Sequence, residues 1–338
     1  MTKFDDGVLE QAADWISSGK NVAFATVIGT WGSSPRPVGS QLAVNEDSEF
    51  VGSVSGGCIE GAVISEALNS ISDGKVRVLD FGVTNEQAWE VGLACGGDIK
   101  IFVEKAATHS EIIRLAKERP LGTVTNIATG EKSFVSMNGT EGEINLSDKI
   151  LADVHQAFQD DRSYVIKEDE RSLFIQVFNK PLRLLIVGAV HITQALVPMA
   201  QTAGFSVTVI DPRGSFATES RVPNVTLIDQ WPDDAMEDLK PDTRTAVVTL
   251  THDPKLDDPA LEVALKSDAF YIGSLGSQRT HAARLERLAK LGFNQVEASR
   301  INGPVGLNLG AVSPAEIAIS ILGQIIAAKH GKLEPAMS

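Results

Sequence analysis

LRLLIVGAVHITQALVPMAQTAGFSVTVID, residues 182–211, is the stretch on which the fold turns. Its opening run, Leu184-Leu-Ile-Val187, is too short for a helix and rich in branched residues, as a strand buried on both faces requires. Gly188 follows, then His191, then apolar residues at helical spacing: Ile192, Ala195, Leu196, Met199 and Ala200. Gly204 is placed to close that helix, and Val207 to Ile210 reads as a second strand ending at Asp211. Strand, helix and strand in this order form a βαβ unit of Rossmann type, with Asp211 positioned to meet a ribose hydroxyl. Pro198 inside the helix should kink it or remove one hydrogen bond.

One position is wrong for a dinucleotide. The fingerprint wants glycine where Val190 stands, because the backbone must come close to a pyrophosphate. The fold reading depends on the apolar pattern and survives. The dinucleotide reading weakens, and plain strand–helix packing competes with it.

Beyond this stretch the chain is ordinary in composition. It has 338 residues, 43% of them hydrophobic, and a mean hydropathy of +0.02, which suits two soluble domains with sizeable cores. A net charge of −14 argues against nucleic acid or an anionic membrane as partner, though not against a local anion site built from backbone N–H groups. No apolar run approaches the length of a membrane span, and the first residues, MTKFDDGVLEQ, carry no apolar signal region, so a cytoplasmic location is expected. The two cysteines, Cys58 and Cys95, are expected to be thiols in such a compartment.

The first half, 1–180, is read as one α/β domain whose motifs lie in 1–107 and whose remainder, 108–180, completes it. An amphipathic helix covers 7–18, and a strand runs from Asn21 to Ile28. Gly29 to Ser40 is a loop dense in Gly, Ser and Pro, with Arg36 as its only charge. Ser53-Val-Ser-Gly-Gly-Cys-Ile-Glu-Gly61 is a second glycine loop and leads into a helix near Ile59–Asn69. Gly92-Leu-Ala-Cys-Gly-Gly-Asp98 is the third. Segment 108–180 offers a helix at Glu111–Arg119, two hairpins, and a short helix at Asp148–Phe158.

The second half, 181–338, is read as a Rossmann-like, doubly wound domain. After the opening unit come buried strands at Thr245–Leu250 and Ala269–Ile272, a helix at Gln278–Leu291 and a loop at Ile301–Gly306. A last helix starts at Ser313 with a capping box closed by Glu316 and Pro314 at its first turn. In such sheets ligands bind beyond the carboxyl ends of the strands. Four loops project there and carry His191, Asp211, Arg213, His252, Asp253 and Arg279. Taken singly, each of these reads more readily as the cap of a strand or helix; their convergence on one edge gives a ligand site equal weight.

The cysteines admit two readings. Each could be a small buried hydrophobe, and no Cys-x-x-Cys or clustered histidine marks a closed zinc site. Against this, each is flanked by Gly-Gly (Gly56-Gly57 before Cys58, Gly96-Gly97 after Cys95), and Ser55 and Arg36 lie nearby in sequence or motif. Glycines let a ligand approach the backbone, and free N–H groups suit an oxyanion. Cys95 is expected to be the principal ligand-facing or metal-facing thiol, because little bulk surrounds it. Cys58 is expected to be a weaker second, partly buried by Ile59 and Ala62.

Taken together, Gly32-Ser-Ser-Pro-Arg-Pro-Val-Gly39, Gly52-Ser-Val-Ser-Gly-Gly-Cys-Ile-Glu60, Gly92-Leu-Ala-Cys-Gly-Gly97, Asp211-Pro-Arg213, Thr251-His-Asp253, Tyr271-Ile-Gly-Ser-Leu-Gly-Ser277, Arg279-Thr-His281, Gly303-Pro-Val-Gly-Leu307 and Ser313-Pro-Ala-Glu-Ile317 resemble the xanthine dehydrogenase accessory factors of the XdhC/CoxI type. The resemblance spans nearly the whole chain. It implies a chaperone, without catalysis of its own, that binds the molybdenum cofactor (molybdopterin) and protects it during sulfuration by a cysteine desulfurase. Such a chaperone inserts the cofactor into a molybdenum hydroxylase such as xanthine dehydrogenase. Homodimers are expected by the same analogy. Relatives usually carry Gly-Ala-Gly-His where this chain has Gly188-Ala-Val-His191. A nucleotide at the Rossmann-like domain, used by an NAD(P)-dependent or nucleotide-dependent enzyme, is the competing reading.

Overall fold

The structure is a computed structural model that describes residues 7–32, 36–82 and 97–333. The chain divides into two compact units, one ending at Lys180 and the other beginning at Pro181.

The first unit opens with α1 (Val8–Ser17) and β1 (Val22–Trp31), followed by β2 (Gln41–Asn45), β3 (Phe50–Gly52), α2 (Glu60–Asp73), β4 (Arg77–Phe81) and β5 (Asp98–Lys105). These strands form an antiparallel sheet in the order β3-β2-β1-β5-β4. β1 runs three residues past the sequence expectation. Its register on β5 shifts between Val27 and Gly29, and past this bulge pairing resumes over Gly29, Thr30 and Trp31, in a stretch that reads as loop. Next come α3 (His109–Lys117), β6 (Leu121–Asn126), β7 (Lys132–Ser136), β8 (Gly139–Gly142), α4 (Asp148–Asp160), β9 (Tyr164–Glu168) and β10 (Arg171–Phe178). They build a second antiparallel sheet, β8-β7-β6-β10-β9. Both expected hairpins are present, β6–β7 and β9–β10. β8 was not legible, because Gly-Thr-Glu-Gly has no apolar residue to pattern. Val22, Phe24, Leu121, Phe134 and Phe178 share one buried cluster, so the two sheets and α1 hold each other through a common core.

The second unit comprises β11 (Arg183–Val187), α5 (His191–Thr202), β12 (Ser206–Ile210), β13 (Thr226–Ile228), α6 (Pro232–Leu239), β14 (Thr245–Thr249), α7 (Pro254–Lys266), β15 (Tyr271–Ser274), α8 (Gln278–Lys290), α9 (Gln295–Ala298), β16 (Ile301–Asn302) and α10 (Pro314–Lys329). The six strands are parallel in the order β13-β12-β11-β14-β15-β16. Renumbered from β11, this is 3-2-1-4-5-6, the order of a dinucleotide-binding Rossmann sheet, and its direction of winding reverses between β11 and β14. Residues 301–302 are therefore the sixth strand and not part of a loop.

The continuous apolar run of β11 has its reason here. Leu184 and Ile186 enter the core beneath α5 and α10, while Leu185 and Val187 enter the opposite one beneath α6, α7 and α8. Pro198 is accommodated within α5, where it leaves the Gln194 carbonyl without its helical N–H donor. Ser313 caps α10, its hydroxyl accepting from the Glu316 N–H while Glu316 accepts from the Ser313 N–H. Ile321 and Ile325 are fully buried on the inner face of α10. No helix among the described residues is long and apolar enough to cross a membrane.

Candidate functional site

In the first unit the second glycine loop is built around a carboxylate. Glu60, the first residue of α2, is only 8% exposed. Its Oε1 accepts from the Ser53 hydroxyl at 2.7 Å and the Ser55 N–H at 3.0 Å, and its Oε2 accepts from the Ser55 hydroxyl and, at 2.9 Å, the Gly57 N–H. Burial alone would raise its pKa. The hydrogen bonds from Ser55 and Ser53 outweigh burial and hold the carboxyl at about 2. The Gly56 N–H donates to the Ser53 hydroxyl oxygen. The N–H groups of residues 55–57 are thus spent inside the loop, which corrects the expectation that they stand free for an oxyanion. Sequence reasoning places Glu60 within a motif and gives it no role. The available signal is a lone acid closing a stretch of Ser and Gly.

That internal carboxylate shapes an exposed face. Gly56, Gly57 and Cys58 are exposed, Ser55 is buried, and a side chain at Gly57 would meet open space. Cys58 precedes the α2 N-cap and is exposed, contrary to the burial expected from Ile59 and Ala62. Ile59 turns inward, while Ala62 lies on the outer side of the helix. Arg36 joins the first loop to the second, its Nε donating to the Ser53 carbonyl at 3.1 Å. Cys95 and Gly96 lie outside the described residues; Gly97 is half-buried and leads into β5.

In the second unit the four expected loops follow β11, β12, β14 and β15, which are adjacent and parallel, so all four emerge at one edge. Asp211 is fully buried. Its carboxylate accepts from the Ala189 N–H at 2.8 Å, the Arg213 N–H at 3.0 Å, Arg213 Nε at 2.8 Å and an Arg213 Nη at 2.7 Å. Burial opposes its charge, but the Arg213 and Ala189 bonds keep its pKa low. Four donors fill its acceptor sites, so Asp211 locks the β11–α5 turn and aims Arg213 instead of offering an oxygen to a ribose. Gly188 has φ of 110°, and a Cβ there would lie 2.8 Å from the Thr251 side chain, so the turn after β11 and the turn after β14 press against one another.

The other candidates differ in their freedom. His191 is the first helical residue of α5 and is exposed, behind a Val190 N-cap that supplies no side-chain acceptor. His252 is exposed with φ of 63°, a strained value for a non-glycine residue. Asp253 caps α7 by accepting from the Lys255 N–H. Arg279 is exposed in the first turn of α8. Charge links the loops: Arg213 is raised first by Asp211 and also by Asp253 and Asp257. Asp257 is raised by burial, against hydrogen bonds from Thr251 and the charges of Arg284 and His252. Asp257 is missed by sequence reasoning, although Asp253-Pro254 is a helix-start signal that puts it in the first turn of α7. No group of three or more His, Cys, Asp or Glu among the described residues could hold a metal ion.

Fold and site together define a two-unit protein that pairs a thiol-bearing glycine face with a doubly wound sheet whose ligand edge is rich in charge but lacks an open fingerprint turn. Residues 184–325 match the XdhC Rossmann domain, and residues 15–82 match the XdhC and CoxI family. Models of the XdhC and CoxI kind thus match each of the two units. It is 27% identical to the molybdenum cofactor insertion chaperone PaoD of Escherichia coli strain K12, over 94% of this chain and 86% of that one. It is 28% identical to a probable xanthine dehydrogenase subunit of Bacillus subtilis strain 168, over 91% of this chain and 93% of that one. A crystal structure named as a xanthine dehydrogenase of Bacillus halodurans shares the fold, with a TM-score of 0.76 and 24% identity over 97% of each chain.

Proposed function

We propose that this protein is a molybdenum cofactor chaperone that holds molybdopterin and inserts it into a molybdenum hydroxylase of the xanthine dehydrogenase kind. The observation that carries the reading is the exposed Cys58 on the face organised by Glu60, with Arg36 tied alongside, in a chain related end to end to a named cofactor insertion chaperone. The donor set fits the group. Glycines 56 and 57 leave a face without side chains, as a planar pterin needs. A guanidinium suits its phosphate, and a thiol suits a molybdenum centre. When bound, the cofactor supplies the redox chemistry of the client enzyme; the chaperone's residues only bind, orient and shield it. Cys95, with Gly96 and Gly97, is assigned to the same task as the principal thiol, and Ser55 supports the loop. His191, Arg213, His252, Asp253 and Arg279, with Asp211 holding Arg213, are assigned to a ligand edge in the second unit. Protection during sulfuration implies a cysteine desulfurase as second partner, and a homodimer is the expected assembly.

The nucleotide-enzyme reading is weaker. Its two anchors at the first turn fail together, since Val190 replaces the phosphate-facing glycine and Asp211 has no acceptor to spare. Gentle anaerobic isolation, followed by metal analysis and pterin fluorescence, tests the proposal. Molybdenum and pterin in equal amounts support it, and protein from cofactor-producing cells carrying neither refutes it.

A further inference from the structure

Beneath the ligand edge of the second unit lies a set of buried charges that the chaperone reading does not use. Arg284, on α8, is 2% exposed, and among the described residues its one hydrogen bond is from Nη2 to the Leu275 carbonyl at 2.9 Å. Its Nε and Nη1 have no partner among the described residues. Asp257 is 1% exposed; Oδ1 is taken by the Thr251 hydroxyl and N–H, and Oδ2 has no partner among the described residues. Nδ1 of His281, one turn before Arg284 on α8, is also buried and unpartnered among them. The neighbouring acid, Asp258, is hydrogen-bonded to Arg287, so it reaches Arg284 through charge alone, as Asp257 does.

These groups share one place. Leu275 directly follows β15 and Thr251 lies two residues past β14, so both anchors sit at the carboxyl edge of the sheet. His281 is held against Gly303, just past β16, where a Cβ would lie 2.2 Å from Nδ1. A buried guanidinium with idle donors, beside a carboxylate oxygen with no donor, is costly unless something polar meets both. A packing role alone would be served better by an apolar side chain.

We infer that Arg284, Asp257 and His281 form a site for a phosphate monoester that carries a neighbouring hydroxyl, with Arg284 holding the oxyanion and Asp257 accepting from the hydroxyl. Nε and Nη1 carry unpaired N–H hydrogens that can donate to an oxyanion, and a guanidinium pairs with phosphate oxygens through such donors. The site lies at the β14–β15–β16 half of the sheet, and only Thr251, beneath it, touches the Gly188 turn that leads to Val190. It goes beyond the cargo reading and does not rest on it: a nucleotide, or the phosphate end of a pterin cofactor, would present the same chemistry.

Equilibrium dialysis of the full chain against methyl phosphate, glycerol 3-phosphate, cytidine monophosphate and inorganic phosphate tests this. The hydroxyl-bearing esters should bind about tenfold more tightly than methyl phosphate, and Arg284→Lys, which keeps charge but loses the fork, should weaken them about tenfold. The isosteric Asp257→Asn should abolish the preference for a hydroxyl without abolishing phosphate binding. Cytidine monophosphate binding well above glycerol phosphate would point to a nucleotide, and equal binding to a ligand read through its phosphate end. Absence of saturable binding of either ester to the unmodified protein at about 10 mM overturns the site whatever the variants do. So does tighter binding of inorganic phosphate than of any ester, or an Arg284→Lys protein that binds as the unmodified one does.

Discussion

Glu60→Gln tests the idea that an internal carboxylate, not an external ligand, orders the Ser53–Glu60 loop. In the folded chain the carboxyl sits at about 2 against an ordinary value of 4.5. That difference is worth on the order of 3 kcal/mol at neutral pH. Because the folded value is depressed, the contribution is complete above about pH 4.5 and is lost as the pH falls toward about 2, with roughly 1–2 kcal/mol left at pH 3. Glutamine keeps the shape but turns an NH2 toward donors that both carboxylate oxygens now satisfy. The Ser55 hydroxyl can rotate away; the Gly57 N–H cannot. The variant should therefore lose about 3 kcal/mol at pH 7, read from hydrogen exchange of the β1 amides, which open only with the unit. Other carboxylates titrate in both proteins, so the informative quantity is the gap between them, which should shrink by about 2 kcal/mol between pH 7 and pH 3. A variant within about 0.5 kcal/mol of the unmodified protein at pH 7, or a gap that does not change with pH, would refute the reasoning.

Asp211→Asn should cost about 2 kcal/mol, because the buried carboxylate that holds half-exposed Arg213 loses its charge and the Ala189 N–H bond loses strength, with urea unfolding as the check. Ser313→Ala should lower the stability of the second unit by about 1 kcal/mol through loss of the cap, and leave phosphate-ester affinity unchanged in dialysis. Cys58 should react with iodoacetamide in the native protein, and Cys58→Ser should fold normally while retaining less molybdenum after desalting. Full retention in that variant would reduce the residue to a small side chain in a tight turn.

Much of the second unit was legible because its strands are buried on both faces. Leu184 to Val187 and Ala246 to Val248 must be apolar without alternation, and the Ser313–Glu316 cap needs particular residues at particular positions. α6, α7 and β13 were not. α7 opens with Pro-Lys-Leu-Asp-Asp and holds a second proline at Pro259, so its apolar face emerges only from Leu256, Ala260 and Leu261 onward. β16 is two residues long and owes its existence to pairing with β15, a contact that leaves no local pattern. At the sites, sequence motifs located the right loops but not the use of each group. Glu60 and Asp211 are internal acceptors, and the orphaned charges of Asp257 and Arg284 depend on burial, which single residues do not announce.

The most direct test of the chaperone reading is transfer. Protein loaded with molybdenum cofactor under anaerobic conditions is mixed with a cofactor-free hydroxylase of the xanthine dehydrogenase kind, and activity is followed with the molybdenum content of each partner after separation. Activity should rise in proportion to the molybdenum that leaves this protein, and more slowly from Cys58→Ser. A loaded protein that keeps its molybdenum in the presence of the cofactor-free enzyme, or activation that is equal with free cofactor alone, would contradict it.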